Sequence, residues 1–305
     1  MNLKEHRTKT ATRLFLVTIV AVIVCALLGG GLLYYITSNQ GINLSGGLTD
    51  SLTVSQRQYL RLALLISNGL QFAVGAALSL WLIFRSEWLS KAGLRQAPRP
   101  YSLGYSIAVV LLSLPLVAYL VYLNGLVPLP EWALQSESQS DDIAGVLMQM
   151  ESPLELLMSI LVVGVTAAVG EELLLRGVLQ RRVLQVWLGN HHGAIWLAAF
   201  VFSFLHFEFA GLVPRMFLGA AFGYAYHWSR SLWIPIGLHF IFNSFQVVMA
   251  YVTGEFDSDA AAQEAPAWWM AAMSLVAFIA VLVVGERKFG QAPTEAAETD
   301  LLLDN

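Results

Sequence analysis

Long apolar segments separated by short polar connections follow one another along the whole chain. Each is about 20 residues long, the length at which a helix crosses the roughly 30 Å hydrocarbon core of a bilayer. The pattern therefore predicts an all-α fold, a polytopic membrane protein with eight transmembrane helices. The predicted spans are 14–36, 62–84, 104–127, 153–175, 194–212, 213–229, 231–252 and 267–285.

The composition agrees with this class. Of the 305 residues, 57% are hydrophobic and only 12% are charged, about half the charge of a soluble domain. The mean hydropathy is +0.63. No basic patch with interleaved aromatic residues is present, which excludes nucleic acid as a partner. We predict an integral, multi-pass protein of the cell inner or plasma membrane, with the lipid bilayer as its surroundings.

Lysine and arginine are concentrated in alternate connections. One side of the predicted membrane holds 14 of the 17 basic residues, and the positive-inside rule makes that side cytoplasmic. Both termini are therefore predicted to be cytoplasmic, in agreement with an even number of spans. The opposite side carries Arg57, Arg61 and Arg215 together with acidic connections such as "SESQSDD" and "GEFDSDAAAQEAP".

The same pattern divides the chain into parts. Residues 1–13 are a cytoplasmic tail, and 14–127 hold three N-terminal transmembrane helices. Residues 153–285 form a core of five helices, and 286–305 are an acidic cytoplasmic tail. The connection at about 128–152 is predicted to be an ordinary loop, in which "IAGVLMQM" forms a short amphipathic helix at the interface.

Two adjacent glutamates and an arginine interrupt the fourth apolar segment, in "GEELLLRG". An unpaired charge in hydrocarbon costs several kcal/mol, so these residues need partners or a function. Glu172 and Arg176 are spaced i,i+4 with the glutamate first, the favourable order for a helical ion pair. Glu171 points about 100° away on the helix and has no partner there. We therefore expect the pair and the single carboxylate to have different roles.

Three further polar residues lie in apolar surroundings. His206 ends the fifth predicted span, and the spacing of His239 and Asn243 places them on one face of the seventh. Helix rise and tilt allow Glu171 to meet all three in one polar pocket. A desolvated carboxylate can take a proton from water, and a neutral histidine with an amide can stabilise an oxyanion. Glu171, His206 and His239 also suit a catalytic zinc ion with an open position. Both arrangements predict hydrolysis of an amide.

The motifs "EELLLRG", "FSFLH" and "HFIFN" occur in this order on successive apolar segments. This arrangement resembles the CAAX protease and bacteriocin-processing family, whose signature is Glu-Glu-x-x-x-Arg, Phe-x-x-x-His and His-x-x-x-Asn. The similarity covers residues 153–249, about a third of the chain. It implies an intramembrane endopeptidase of eight helices, similar to type II CAAX prenyl endopeptidases, with a buried polar cavity facing the cytosol. On this basis the core at 153–285 is the catalytic part.

The resemblance also implies roles for individual residues. Glu171 is the base that activates water, and Glu172 is the partner of Arg176. His206 helps to position the water.

The signatures of other protease classes are absent from the sequence: there is no His-Glu-x-x-His, no Gly-x-Gly-Asp and no rhomboid-like Gly-x-Ser-Gly.

His239 and Asn243 form the oxyanion hole on the same resemblance. The family is commonly labelled metalloprotease, and two mechanisms stay open. In one, Zn²⁺ is held by Glu171, His206 and His239; in the other, no metal takes part. The implied substrate is a membrane-associated protein or peptide.

Two other functions are compatible with the sequence. A proton-coupled transporter would use Glu171 and the histidines as a relay, although the internal repeat typical of transporters is missing. A catalytically idle immunity or scaffold protein would be expected to have lost one of the motifs. The remaining internal histidines carry no predicted function: His191 and His192 are expected to be solvated in a connection, and His227 to be interfacial.

Overall fold

The computed structural model describes residues 3–44, 48, 52–98, 100–254 and 265–290. Within these ranges the chain forms nine helices and no strand, which confirms the all-α class. Most of the acidic connection 254–266 and of the tail 286–305 lies outside the described residues. The helices are α1 (Leu3–Asn39), α2 (Val54–Ala92), α3 (Pro100–Gly125), α4 (Glu131–Met148), α5 (Pro153–Leu188), α6 (His191–Phe204), α7 (Leu212–Ser229), α8 (Trp233–Thr253) and α9 (Trp268–Phe289).

Six of these helices are long and apolar enough to cross a membrane: α1, α2, α3, α5, α8 and α9. The fifth predicted span falls on α6, which is apolar but has only 14 residues. The sixth falls on α7, which contains Arg215 and His227 and is largely buried among its neighbours. The structure is thus that of an integral membrane protein. The count of eight spans and the orientation of the termini stay predictions.

Several helices extend well beyond their predicted apolar spans. The span 14–36 lies within α1, so most of the predicted tail 1–13 is helical. The predicted loop 128–152 is mostly the helix Glu131–Met148. Hydropathy identifies only the part of a helix that suits hydrocarbon, whereas polar helix-forming residues such as Glu, Gln and Lys continue the backbone hydrogen bonding into water. The prediction of an ordinary loop is therefore wrong, whereas the short helix predicted at "IAGVLMQM" is confirmed as far as Met148.

The long helix α5 has an unusual backbone around its glutamates. It is π-helical over Ile160–Thr166 and again over Leu173–Leu184, and the α-helical turns Ala167–Glu172 between them contain Glu171. Such widened turns occur frequently at functional sites. Ser152 begins the helix by accepting a hydrogen bond from a backbone N–H of the first turn.

Small residues bring α7 close to α5. Gly219 and Gly223 are one turn apart on α7, and each offers its carbonyl to a side chain of α5. Arg176 donates to the carbonyl of Gly219 over 2.7 Å, and Gln180 to that of Gly223 over 3.1 Å. A Cβ atom at Gly223 would lie 2.8 Å from Ile195. Small residues at this spacing allow close approach of membrane helices, so α7 is fixed against α5 and α6.

A buried ion cluster joins α2 to the first turns of α5. The carboxylate of Glu155 lies 2.9 Å from Arg57 Nε and 2.8 Å from Arg61 Nη1. Arg61 Nε also donates to Ser159 Oγ over 2.9 Å, and Glu151 lies 2.8 Å from Arg57 Nη2. Arg61 and Glu155 are both 0% exposed. The sequence analysis placed the two arginines on the side of the membrane opposite the cytoplasm; their guanidinium groups are buried inside the protein.

Candidate active site

Glu171 lies near the midpoint of α5 and faces two histidines. Its Oε1 is 4.0 Å from Nε2 of His206, and its Oε2 is 3.9 Å from Nε2 of His239. Both distances exceed a direct hydrogen bond and leave room for one bridging water. The carboxylate side chain is 13% exposed. The structure thus brings together three polar residues from three separate motifs.

His206 lies in the turn after α6, which corrects the prediction of a helical position. The helix ends two residues earlier, and Phe207 adopts a left-handed backbone conformation with φ of +54°. The Nδ1 atom of His206 is 2.8 Å from the carbonyl of Phe202. A carbonyl only accepts, so Nδ1 carries the hydrogen, and the lone pair of Nε2 is directed to Glu171. The segment "FSFLH" is apolar throughout, so hydropathy alone does not reveal this turn.

The ion pair predicted from the i,i+4 spacing is present. Glu172 Oε1 lies 2.8 Å from Arg176 Nη1, and both side chains are buried. The guanidinium group also lies over the rings of Phe202 and Phe222, at 5.5 and 5.8 Å from their centroids. Together with the carbonyl of Gly219, these contacts hold Arg176 between α5, α6 and α7.

The Glu172 carboxylate has a second partner that the sequence does not predict. His239 Nδ1 lies 2.9 Å from Glu172 Oε1. A carboxylate oxygen accepts, so Nδ1 carries the hydrogen and Nε2, which lies 3.9 Å from Glu171 Oε2, can only accept. The ring of His239 also stacks on Phe222 at 5.3 Å. Glu172 therefore positions His239 in addition to neutralising Arg176, a contact 67 residues apart in sequence that no local spacing reveals.

Asn243 lies one turn beyond His239 on α8, on the predicted shared face. Its Nδ2 is 2.9 Å from the carbonyl of Val163 and 3.1 Å from His239 Nε2. Both amide hydrogens are thus directed to acceptors within the protein. A substrate carbonyl oxygen would have to replace the Asn243–His239 hydrogen bond before Asn243 could donate to it. The oxyanion hole predicted from His239 and Asn243 is thereby reduced to Asn243, because the hydrogen of neutral His239 is on Nδ1 and bound to Glu172.

The Glu172→Ala variant is expected to lose about 3 kcal/mol of stability, because it leaves Arg176 buried without its carboxylate partner. Adding Arg176→Met should recover part of this loss by removing the stranded charge, without restoring any activity that depends on the position of His239. Thermal unfolding in detergent measures both variants, with the exposed-site substitution Glu131→Ala as control. A Glu172→Ala protein that melts like the control would contradict a stabilising role for the pair.

Comparisons with known proteins provide independent information on the same region. Neither the comparison with curated proteins nor that with solved structures gives a match. A family comparison matches residues 153–245, and the family is described as type II CAAX prenyl endopeptidase Rce1-like. The matched segment runs from the start of α5 into α8 and contains all six motif residues. This confirms the resemblance that the motifs predict: over residues 153–245 the chain is similar to the Rce1-like family of type II CAAX prenyl endopeptidases.

Proposed function

We propose that the protein is an intramembrane endopeptidase that hydrolyses a peptide bond of a membrane-associated protein or peptide. The observation that carries this proposal is the Glu171 carboxylate, which faces Nε2 of His206 and of His239 at about 4 Å. Six membrane-length helices and the protease family match support the same function.

A water molecule between Glu171 and His206 is the proposed nucleophile. It donates one hydrogen to the Nε2 lone pair of His206 and the other to the Glu171 carboxylate, which leaves an oxygen lone pair for the substrate carbonyl carbon. As the C–O bond forms, Glu171 accepts the proton of the water. When the C–N bond breaks, Glu171 returns that proton to the leaving amine.

Asn243 is the proposed donor to the oxyanion. The amide hydrogen now directed to His239 Nε2 turns to the substrate carbonyl oxygen as negative charge develops there. One well-placed donor of this kind contributes about 10²–10³-fold to kcat in other hydrolases. Glu172 keeps the His239 ring in place through Nδ1 during this exchange, so Glu172 is a positioning residue.

We further propose that hydrolysis proceeds without a bound metal. The alternative places Zn²⁺ on Glu171, His206 and His239, and two observations oppose it. The lone pair of His239 Nε2 that would bind zinc already faces the amide of Asn243. In the part of the chain that the structure describes, the one trio of His and acidic ligand atoms within 4.8 Å of one another lies elsewhere.

Cleavage is therefore expected to survive exhaustive dialysis against a strong chelator. Purified protein in detergent is assayed before and after dialysis, and bound zinc is measured at each step by mass spectrometry. One pattern would contradict the proposal: activity is lost on dialysis, zinc restores it, and a Glu171→Gln variant fails to bind that ion.

The activity itself is tested with membranes from cells that produce either the wild type or Glu171→Gln. Quantitative proteomics of peptide termini should find termini that only the wild type generates. The family description makes a prenylated peptide with a C-terminal CAAX sequence the first purified substrate to assay, with the unprenylated peptide as its control. No difference in termini would reject the protease and favour the idle scaffold. Proton flux that depends on Glu171 without cleavage would favour the transporter.

A further inference from the structure

Three potential metal ligands from three helices meet at the far end of α5 from Glu155. His191 begins α6, His227 lies in the last turn of α7, and Glu286 in that of α9. Glu286 Oε2 is 2.9 Å from His191 Nε2, and the rings of His191 and His227 stack at 4.2 Å. One ligand atom from each of the three lies within 4.8 Å of the other two. The sequence predicted solvated or interfacial histidines at this end.

His227 is the member of this cluster that points to a ligand. Its residue is only 5% exposed, and its Nε2 has no hydrogen-bond partner among the described residues. Buried polar atoms are nearly always hydrogen-bonded, so an unpartnered nitrogen beside a histidine and a carboxylate needs an explanation. A bound cation supplies one, because a neutral imidazole nitrogen is a metal ligand.

Neighbouring side chains form hydrogen bonds to the candidate ligands, as side chains around metal ligands typically do. Trp228 Nε1 donates to Glu286 Oε1 over 2.8 Å, which leaves Oε2 to face the histidines. The hydroxyl of Tyr224 lies 2.8 Å from Nδ1 of His192. Nε2 of His192 is then directed to Glu286 Oε2, at 3.9 Å. Metal-bound histidines typically use their second nitrogen in this way, so His192 is a fourth candidate ligand.

We propose that His191, His227 and Glu286, with His192 as a fourth ligand, bind a divalent transition-metal ion, for which Zn²⁺ is the best fit. Imidazole nitrogens with one carboxylate oxygen suit zinc in a four-coordinate site, whereas Mg²⁺ and Ca²⁺ require mainly oxygen. Ligand atoms around zinc lie roughly 3.5 Å apart at bond lengths of about 2.1 Å. Ion binding therefore moves His191 Nε2 and Glu286 Oε2 apart from 2.9 Å, and brings ligand atoms that lie up to 4.8 Å apart closer together.

Two arginines lower the affinity that we expect of this site for a metal ion. Arg181 and Arg230 line a small cavity together with His227, and their positive charges oppose a cation. The Glu286 carboxylate offsets part of this charge. We therefore expect weaker binding than in structural zinc sites lined by thiolates.

The bound ion would link α9 to the helices α6 and α7. α9 packs along α3, where Ser274 donates to the carbonyl of Leu112 and Lys288 to the hydroxyl of Tyr105. None of the four proposed metal ligands belongs to the candidate active site. The site therefore stands independently of the proposed protease function.

Metal binding is tested on the full-length protein in detergent, stripped with a chelator and then dialysed against Zn²⁺ or Co²⁺. We expect one ion per chain and a Co²⁺ absorption spectrum typical of four-coordinate geometry. At a metal concentration about 100-fold above Kd, the Tm should rise by roughly 5 °C. His227→Gln and Glu286→Gln should each weaken binding at least about tenfold. Glu286→Gln keeps an oxygen for Trp228, so it is the variant more certain to fold.

Two variants serve as controls. His6→Gln removes a histidine far from both sites in sequence, and Glu171→Gln alters the candidate active site; both should bind metal like the wild type. The proposal is overturned if the wild type binds no ion, or if Glu286→Gln binds as tightly as the wild type. It is also overturned if binding is lost in Glu171→Gln and kept in Glu286→Gln, which would place the ion in the candidate active site.

Discussion

The Glu171→Gln variant is expected to be folded, inserted and inactive. Glutamine has the shape of glutamate but cannot accept the proton of the attacking water, so kcat should fall by about 10²–10⁴-fold. Its amide would also donate to Nε2 of His206 or His239 and displace the bridging water. Initial rates on a cleaved peptide, with thermal unfolding measured in parallel, separate loss of chemistry from loss of fold.

The matched control is Glu131→Gln, the same change at the exposed first residue of α4. It should cleave at the wild-type rate. Retention by Glu171→Gln of more than about a tenth of the wild-type kcat is too much for an enzyme that has lost its general base. That result would move the role of base to another residue, Glu172 being the nearest carboxylate.

Glu155→Ala is expected to cause the largest loss of stability. It removes the carboxylate shared by Arg57 and Arg61, and breaking a buried pair costs about 3–5 kcal/mol because it strands the remaining charge. Here Arg61 loses its carboxylate partner and Arg57 keeps only the largely exposed Glu151, so we expect the upper end of that range or failure to accumulate in the membrane. Unfolding by SDS titration and by heat measures the change, and protein abundance in the membrane reports the in-cell effect.

Glu151→Ala is the matched control, since Glu151 contacts the same Arg57 but is 62% exposed. An exposed ion pair contributes about 1 kcal/mol or less. Replacing Arg57, Arg61 and Glu155 together by methionine should recover much of the stability, because an apolar trio leaves no stranded charge. Equal melting of Glu155→Ala and Glu151→Ala would show that the buried cluster does not stabilise the fold.

The membrane class was predictable because helix length and hydropathy are local properties of the sequence. The spans on α1, α2, α3, α5, α8 and α9 follow from apolar segments of sufficient length. The helix α4 was not predicted from hydropathy, because it is polar over much of its length and its helical state depends on backbone propensity. Nor did the burial of Arg57 and Arg61 follow, since their partner Glu155 is more than 90 residues away.

Within the candidate site, contacts on one helix were predictable and contacts between helices were not. Glu172 with Arg176, and His239 with Asn243, follow from the i,i+4 geometry of a helix. The hydrogen bond from His239 to Glu172 and the turn that places His206 depend on how α5, α6 and α8 pack. The cluster of His191, His227 and Glu286 likewise arises only from tertiary packing, because its members come from three helices.

The order in which the chain is synthesised gives the Arg57–Arg61–Glu155 cluster a further consequence. Arg61 leaves the ribosome 94 residues before Glu155, which is roughly 5–20 s at common rates of translation. Throughout that interval α2 carries two arginines whose buried partner does not yet exist. Burial of the two arginines must therefore wait for α5, and a nascent chain halted before residue 153 should remain a target for membrane quality control.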